Sequence, residues 1–407
     1  MSPDALPKII SVDDHLVEPP ELFLDALPAQ FKSRAPHVER RPGRWVKTPQ
    51  GLALAFDDHP DNRLGDFWIY DDLLWPLTAG YAAIGELRKL NALAPVTYDE
   101  INPACHRLSE RLKAMDSVGV EGSLCFPTMP RFCGQHFAER PDKAFALICL
   151  QAYNDWILDV WCAGEGYGRM IPVTVIPLWD AELAAAEVRR CAAKGARGIS
   201  FSECPPRLGL PSIHSGYWNP MLAACDETGL VVNMHIGTSS RVPSTGPDSP
   251  HSVEIGLIFQ NSQAALVDWL TSGLLEKYPR LKIALSEGQV GWMPYVIDRL
   301  DSVWERSELY EDHMHDRVPR RPSEYIRGRV YGCLFDDIVG LRNRDALGMS
   351  QLMFEVDFPH ADSTFPYTRE VAARLVADAG LDEDETRALV RGSAIECYNL
   401  EPLGLKP

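Results

Sequence analysis

The chain has 407 residues, 45% of them hydrophobic and 24% charged, with a net charge of −17. The length exceeds one small core and suits a barrel of about 250 residues carrying large insertions, while the acidic balance argues against nucleic acid and anionic membranes as partners, which need clustered Lys and Arg. A small-molecule substrate stays open, because the local field in a pocket matters more than the total charge. No apolar run nears the roughly 18 residues of a membrane span. The opening MSPDALPKII lacks a basic stretch followed by an apolar one, so the expected location is the cytoplasm. The ten cysteines include no CxxC and read as reduced core thiols.

In chain order, the first strand is expected at 8–13 (KIISVD). A long segment, 19–104, is rich in Pro, Trp and Asp with weak periodicity, and reads as an insertion or lid within a single domain spanning 1–407. LSERLKAMDSVG then reads as a helix ending at Gly119, and 121–126 as the second strand. An amphipathic helix follows at 141–162. From there the rhythm is regular: strands at 169–176, 198–202, 230–235, 281–287, 329–335 and 352–357. Helices are expected at 180–194, 218–228, 260–275 and from Trp292, and two more close the chain at 368–380 and 384–397. Apolar strands alternating with helices imply a parallel sheet, and eight such units favour an α/β fold of the closed (β/α)8 barrel type. No GxGxxG or GxxxxGK[ST] marks a nucleotide fold.

Polar residues recur at the expected strand ends: Asp13, Asp14 and His15 after strand 1, His235 at strand 5, Glu287 at strand 6, Asp357 at strand 8 with His360 just beyond. Such ends converge on one mouth of a barrel. Asp13 and His15 are two apart, so both side chains face the interior, where charge is costly unless paired or bound to a cation. Taken singly, each has a bland reading: His235 as a core histidine, Asp13 as a turn cap, Glu287 as a partner of Arg299, His360 as a loop residue. Their joint occurrence favours a metal site. Of the other histidines, His214 and His251 lie in loops at the same end and are the better outside candidates.

With those residues in view, the chain resembles the amidohydrolase-related family typified by aminocarboxymuconate-semialdehyde decarboxylase and γ-resorcylate decarboxylase. ISVDDHLVEPPEL looks like its strand-1 motif, VVNMHIG like its strand-5 segment, LMFEVDFPHADSTFP like its strand-8 motif, and VRGSAIECYNL like its closing segment. The resemblance implies Asp13, His15, His235 and Asp357 as metal ligands, with Asp357 as ligand or base. Two departures stand out. The histidine usual after strand 6 is replaced by SEGQVGWMP, which puts Glu287 there. No Lys ends strand 4 (GISFSE), so a carbamylated-Lys bridge is not expected. The resulting set is Asp13, His15, His235, Glu287, Asp357 and His360, with Glu18 as a further candidate; Glu287, Asp357 and His360 are the catalytic candidates.

Mixed carboxylate and imidazole donors suit iron, zinc or manganese. Two function classes follow, beside the less favoured reading of a non-catalytic barrel that kept its fold and lost its metal. One is a non-haem di-iron monooxygenase, resembling the branch with this fold in platensimycin and platencin biosynthesis, using two Fe, O2 and a reductant on a bulky, largely apolar, terpenoid-like substrate. The other is a zinc- or manganese-dependent hydrolase or non-oxidative decarboxylase. The carboxylate surplus leans the reading to the oxygenase. WVKTP and FWIYDDLLWPL, within 45–80, are expected either to roof a substrate pocket or to pack on the barrel, and a homodimer is expected by analogy.

Overall fold

Seven buried residues, Ile9–His15, form β1. Their β-branched and apolar members suit a strand enclosed on both faces. In the computed structural model, which describes residues 2–48, 51–82 and 90–407, β1 starts a ring of parallel strands. β6 (Val120–Phe126) pairs with it, and β7 (Met170–Ile171) pairs with β6. A second run joins β8 (Val173–Val175), β9 (Gly198–Ser200), β10 (Val231–His235), β11 (Ile283–Ser286), β12 (Val330–Leu334) and β13 (Leu352–Phe354), each parallel to the next. β7 and β8 are two halves of the expected strand 169–176, divided at Pro172, which has no N–H to give to a ladder. The seam between β13 and β1 is closed by the Asp357 N–H donating to the Asp13 carbonyl at 2.8 Å and the His15 N–H to the Phe358 carbonyl at 2.6 Å. Eight strand positions therefore close into a (β/α)8 barrel.

The outer helices follow local chemistry. Asp180 caps Ala181–Ala193 by accepting from the Glu182 and Leu183 N–H groups, and Gly229, at φ +75°, ends Asn219–Thr228. The expected helix 260–275 is instead two, Gln260–Thr271 and Leu274–Lys277, because Gly273 turns left-handed between them at φ +76°. The last strand is shorter than its apolar run: it stops at Phe354, and Asp357 takes φ +61°.

The segment without legible periodicity contains an antiparallel sheet. β2 (His37–Thr48), β3 (Gly51–Ala55), β4 (Arg63–Tyr70) and β5 (Leu73–Pro76) stand in the order β3-β2-β4-β5. Phe67, Trp68 and Tyr70 are buried from it, and Trp68 meets Phe23 edge-on at 5.9 Å. Tyr70 meets Phe137 and Phe145, from the helices after β6, at 6.2 and 6.1 Å, so the second aromatic stretch packs the sheet onto the barrel, the second of the two expectations; Pro49 of the first aromatic stretch lies outside the described residues. Among the described residues no helix is long and apolar enough to cross a membrane. All ten cysteines are free thiols, nine of them buried.

Candidate metal centre

Alternation along β1 sorts its polar end. Asp13 and His15 turn into the barrel, fully buried. Asp14 turns the other way, accepting from Ser123 Oγ and, at 3.0 Å, from the Phe358 N–H. Behind it, the buried Arg111 donates to the His15 carbonyl and lies 4.2 Å from the Phe358 ring centre. Asp14 thus ties β1 to its neighbours, while Asp13 and His15 are left for the mouth.

β10 brings His235 to the same place. Its Nδ1 lies 2.6 Å from the Ile236 carbonyl, which only accepts, so Nδ1 carries the proton and Nε2 presents a lone pair. That Nε2 stands 3.2 Å from Asp13 Oδ2, 3.4 Å from Glu287 Oε2 and 3.1 Å from His15 Nε2. His15 Nε2 is also 3.5 Å from Asp13 Oδ1 and 3.3 Å from Asp357 Oδ1. His360 stacks on His15 at 3.8 Å, its Nδ1 2.9 Å from Asp357 Oδ1.

Three overlapping groups result: Asp13, His15 and His235; His15, Asp357 and His360; Glu287, Asp357 and Asp362, each with donor atoms within 4.8 Å of one another. The structure thus gathers all six sequence candidates at one point. Glu287 and Asp357 hold left-handed backbone, at φ +55° and +61°, a conformation that costs a non-glycine residue energy and persists where its surroundings enforce it.

The electrostatics ask for a cation. Both oxygens of Asp13 and of Asp357 are buried without a hydrogen-bond partner, as is one oxygen of Glu355. Burial, then mutual repulsion, pushes these carboxyls well above the ordinary range: Asp13 against Asp14, Glu355 and Asp357 each against Asp13, Glu287 against Asp357. Burial also lowers His15, and takes His360 down to about 3. Neutral imidazoles facing carboxylates that resist ionisation together form a donor set that a divalent cation would satisfy.

Other candidates fall elsewhere. Glu18 does not join the cluster: its two oxygens accept from the Thr128 and Met129 N–H groups at 3.0 and 2.7 Å, so its carboxylate is spent on a loop. His214 pairs with Asp268 and His251 with Glu254, both exposed. Glu287 makes its contact with His235, not with Arg299.

Sequence reasoning missed Glu355, Asp362 and Phe132. Glu355 Oε2 accepts from the Glu287 N–H at 3.1 Å; its spacing of two from Asp357 was the available signal. Phe132 packs 4.4 Å from the His235 ring and 4.7 Å from that of His15, and comes from a loop with no pattern to announce it.

Comparison with known proteins gives a family described as Amidohydrolase, matched over residues 96–400. Among solved structures, an amidohydrolase from Mycobacterium avium subsp. paratuberculosis K-10 superposes with a TM-score of 0.65 at 19% identity, covering 96% of this chain and 99% of that one. A 5-carboxyvanillate decarboxylase from Novosphingobium aromaticivorans DSM 12444, complexed with manganese and 4-hydroxy-3-methoxy-5-nitrobenzoic acid, gives 0.59 at 16% identity, covering 97% and 96%. A 2,6-dihydroxybenzoate decarboxylase from Rhizobium gives 0.58 at 16%, covering 97% and 100%. At these identities the likeness is one of fold. Neighbours of this kind match the decarboxylase alternative of the sequence reading and lend nothing to its di-iron oxygenase lean.

Proposed function

This chain belongs to the amidohydrolase family, and from that premise we propose that it is a divalent-metal-dependent enzyme that decarboxylates a small organic acid. The observation that carries the metal site is the set of buried, unpartnered oxygens of Asp13 and Asp357 facing the imidazoles of His15 and His235. These four residues would hold the ion, with Glu287 and His360 at its edge. Manganese in a decarboxylase of the same fold makes it the first metal to try. When bound, the cation would supply Lewis acidity at the barrel mouth.

The chain's own residues would do the rest. Glu287, whose carboxyl is held above the ordinary range by burial and by the neighbouring Asp357, is the group placed to deliver a proton to the carbon that loses CO2. His360, with its Nδ1 2.9 Å from Asp357 Oδ1, stands beside it and can orient the Asp357 carboxylate. Phe132 and Tyr81 set aromatic rings beside the histidines, Tyr81 at 5.8 Å and Phe132 at 6.0 Å from His360. Hydrolysis is the nearest alternative, with Asp357 or Glu287 as general base.

The test is anaerobic incubation of manganese-loaded protein with a panel of hydroxybenzoic acids, following CO2. Release that disappears in H235A supports the reading; a metal-loaded protein that releases none overturns it. The oxygenase reading keeps one observation in its favour, the acidic group of Glu287, Asp357 and Asp362 beside the histidines. About two irons per chain after aerobic purification, with O2 uptake on adding a reductant, would replace decarboxylation with it.

A further inference from the structure

The loop after β9 sets Glu203 against the turn that follows His235. Glu203 is 3% exposed, yet it belongs to none of the three donor groups of the centre. Its Oε1 accepts from the Gly237 and Ser239 N–H groups, both at 3.2 Å, from Ser239 Oγ at 2.6 Å and from Asn261 Nδ2 at 3.0 Å. Its other oxygen, Oε2, is buried without a partner. Burying a carboxyl is costly, so spending one on a single turn calls for a reason.

The reason lies in which peptide it holds. The Gly237 N–H and the Ile236 carbonyl belong to one trans peptide, a rigid plane whose two polar ends point in opposite directions. Glu203 takes the N–H end, and His235 Nδ1 gives its proton to the carbonyl end at 2.6 Å. Fixing one end of the plane aims the other. An acceptor on the N–H also polarises the peptide, which makes its carbonyl the stronger acceptor. The relay from carboxyl through peptide to imidazole ends on the lone pair of His235 Nε2.

The turn is held from outside itself. Ser240 takes left-handed backbone at φ +58°, which persists where the surroundings impose it. Thr238 Oγ1 accepts from the Glu203 N–H at 2.9 Å and donates to the His235 carbonyl at 2.6 Å. His15 has no such arrangement, since its Nδ1 is buried without a partner. The same turn, through Gly237 and Arg241, forms one side of a pocket of about 200 Å³ that Tyr81, Arg131 and Phe132 line on the other. What sets the turn therefore also sets that wall.

We infer that Glu203 is a positioning residue for the metal centre: through the Ile236–Gly237 peptide it keeps the proton of His235 on Nδ1 and leaves Nε2 free for the ion. The consequence for metal rests on the proposed metal site; the relay itself does not. Histidines that bind metal are commonly oriented by a carboxylate or a carbonyl on their other nitrogen, and here the two act in series.

The test reads the tautomer directly, by nitrogen NMR of histidine-labelled, metal-free protein at about pH 8, above the ordinary histidine range. His235 is assigned by its absence in H235A. The wild type is expected to carry the proton on Nδ1. E203A should move a measurable share to Nε2 and weaken manganese binding roughly 10–100-fold. E203Q retains an oxygen that can accept, and should keep the tautomer and most of the affinity. T238V loosens the turn without touching the Gly237 bond and should leave the tautomer in place, which separates the relay from plain support of the turn. Should E203A fail to fold, hydrogen exchange of the Gly237 amide decides: slow exchange in the wild type and in E203Q supports the relay, and fast exchange in the wild type overturns it. A wild type protonated on Nε2, an E203A with unchanged tautomer, an E203Q as impaired as E203A, or a T238V that shifts the tautomer as far would each overturn the inference. A wild type that binds no manganese would overturn the metal reading alone, because the tautomer is read without metal.

Discussion

At the scale of single residues, the ligand candidates and their supports differ in what their loss would do. His235→Ala removes one of the two imidazole donors that would hold the ion beside Asp13 and Asp357, and is expected to abolish tight manganese binding while thermal unfolding of the metal-free protein still shows one cooperative transition. Asp357→Asn has two opposite effects. Without metal it takes a repelling, desolvated carboxyl out of the cluster formed with Asp13 and Glu287, so the metal-free variant should melt at a higher temperature than the wild type. With manganese it should gain little, where the wild type gains much. Melting curves of both proteins with and without manganese read this directly; a D357N that is destabilised when metal-free would contradict the repulsion argument. Glu355 supports the site through the Glu287 N–H, and E355A is expected to weaken metal affinity by roughly 10–100-fold, as for other outer partners of metal ligands.

At the scale of elements, the loops around the mouth depend on buried acids. Burial raises Glu18 to about 7, against the stabilising N–H bonds of Met129 and Thr128. An unfolded Glu titrates near 4.3, so between roughly that pH and 7 the folded chain holds a proton the unfolded chain has lost. Stability from this group is therefore full at acid pH and falls as pH rises through that window. The melting temperature of E18Q should decline less from pH 5 to pH 8 than that of the wild type; identical slopes would remove Glu18 from the account. In the antiparallel sheet, Trp68 is 3% exposed and packs on Phe23. Trp68→Ala should cost about 3–5 kcal/mol in denaturant unfolding, more than an ornamental flap would show.

At the scale of the whole molecule, metal and fold are linked. A cation that binds only the folded chain stabilises it by about 2.7 kcal/mol at a hundred times its dissociation constant. The carboxyls of Asp13, Glu287, Glu355 and Asp357 are all raised, and Asp13 and Asp357 must lose their protons to bind metal. The rise in melting temperature on adding manganese should therefore grow with pH and shrink in acid.

Much of this protein was legible along the chain, because a barrel repeats one local rule. Apolar strands, capped helices and polar strand ends follow from residues a few positions apart, so the eight units and Asp13, His15, His235, Glu287, Asp357 and His360 could be marked from the sequence. The β2–β5 sheet was not legible: its strands are buried by packing Trp68 on Phe23 and Tyr70 on Phe137 and Phe145, partners far along the chain, which leaves no clean alternation. Glu18 looked like a ligand for the same reason that Glu355 did not. Sequence shows which residue type stands near a strand end, but only the packed barrel decides which carboxylate meets backbone N–H groups and which meets an imidazole. The pocket beside the centre, lined by Tyr81, Arg131 and Phe132 on one side and Gly237 and Arg241 on the other, lies further still from local rules. Two loops more than a hundred residues apart form it, and long-range contacts of that kind are set by how the whole barrel closes.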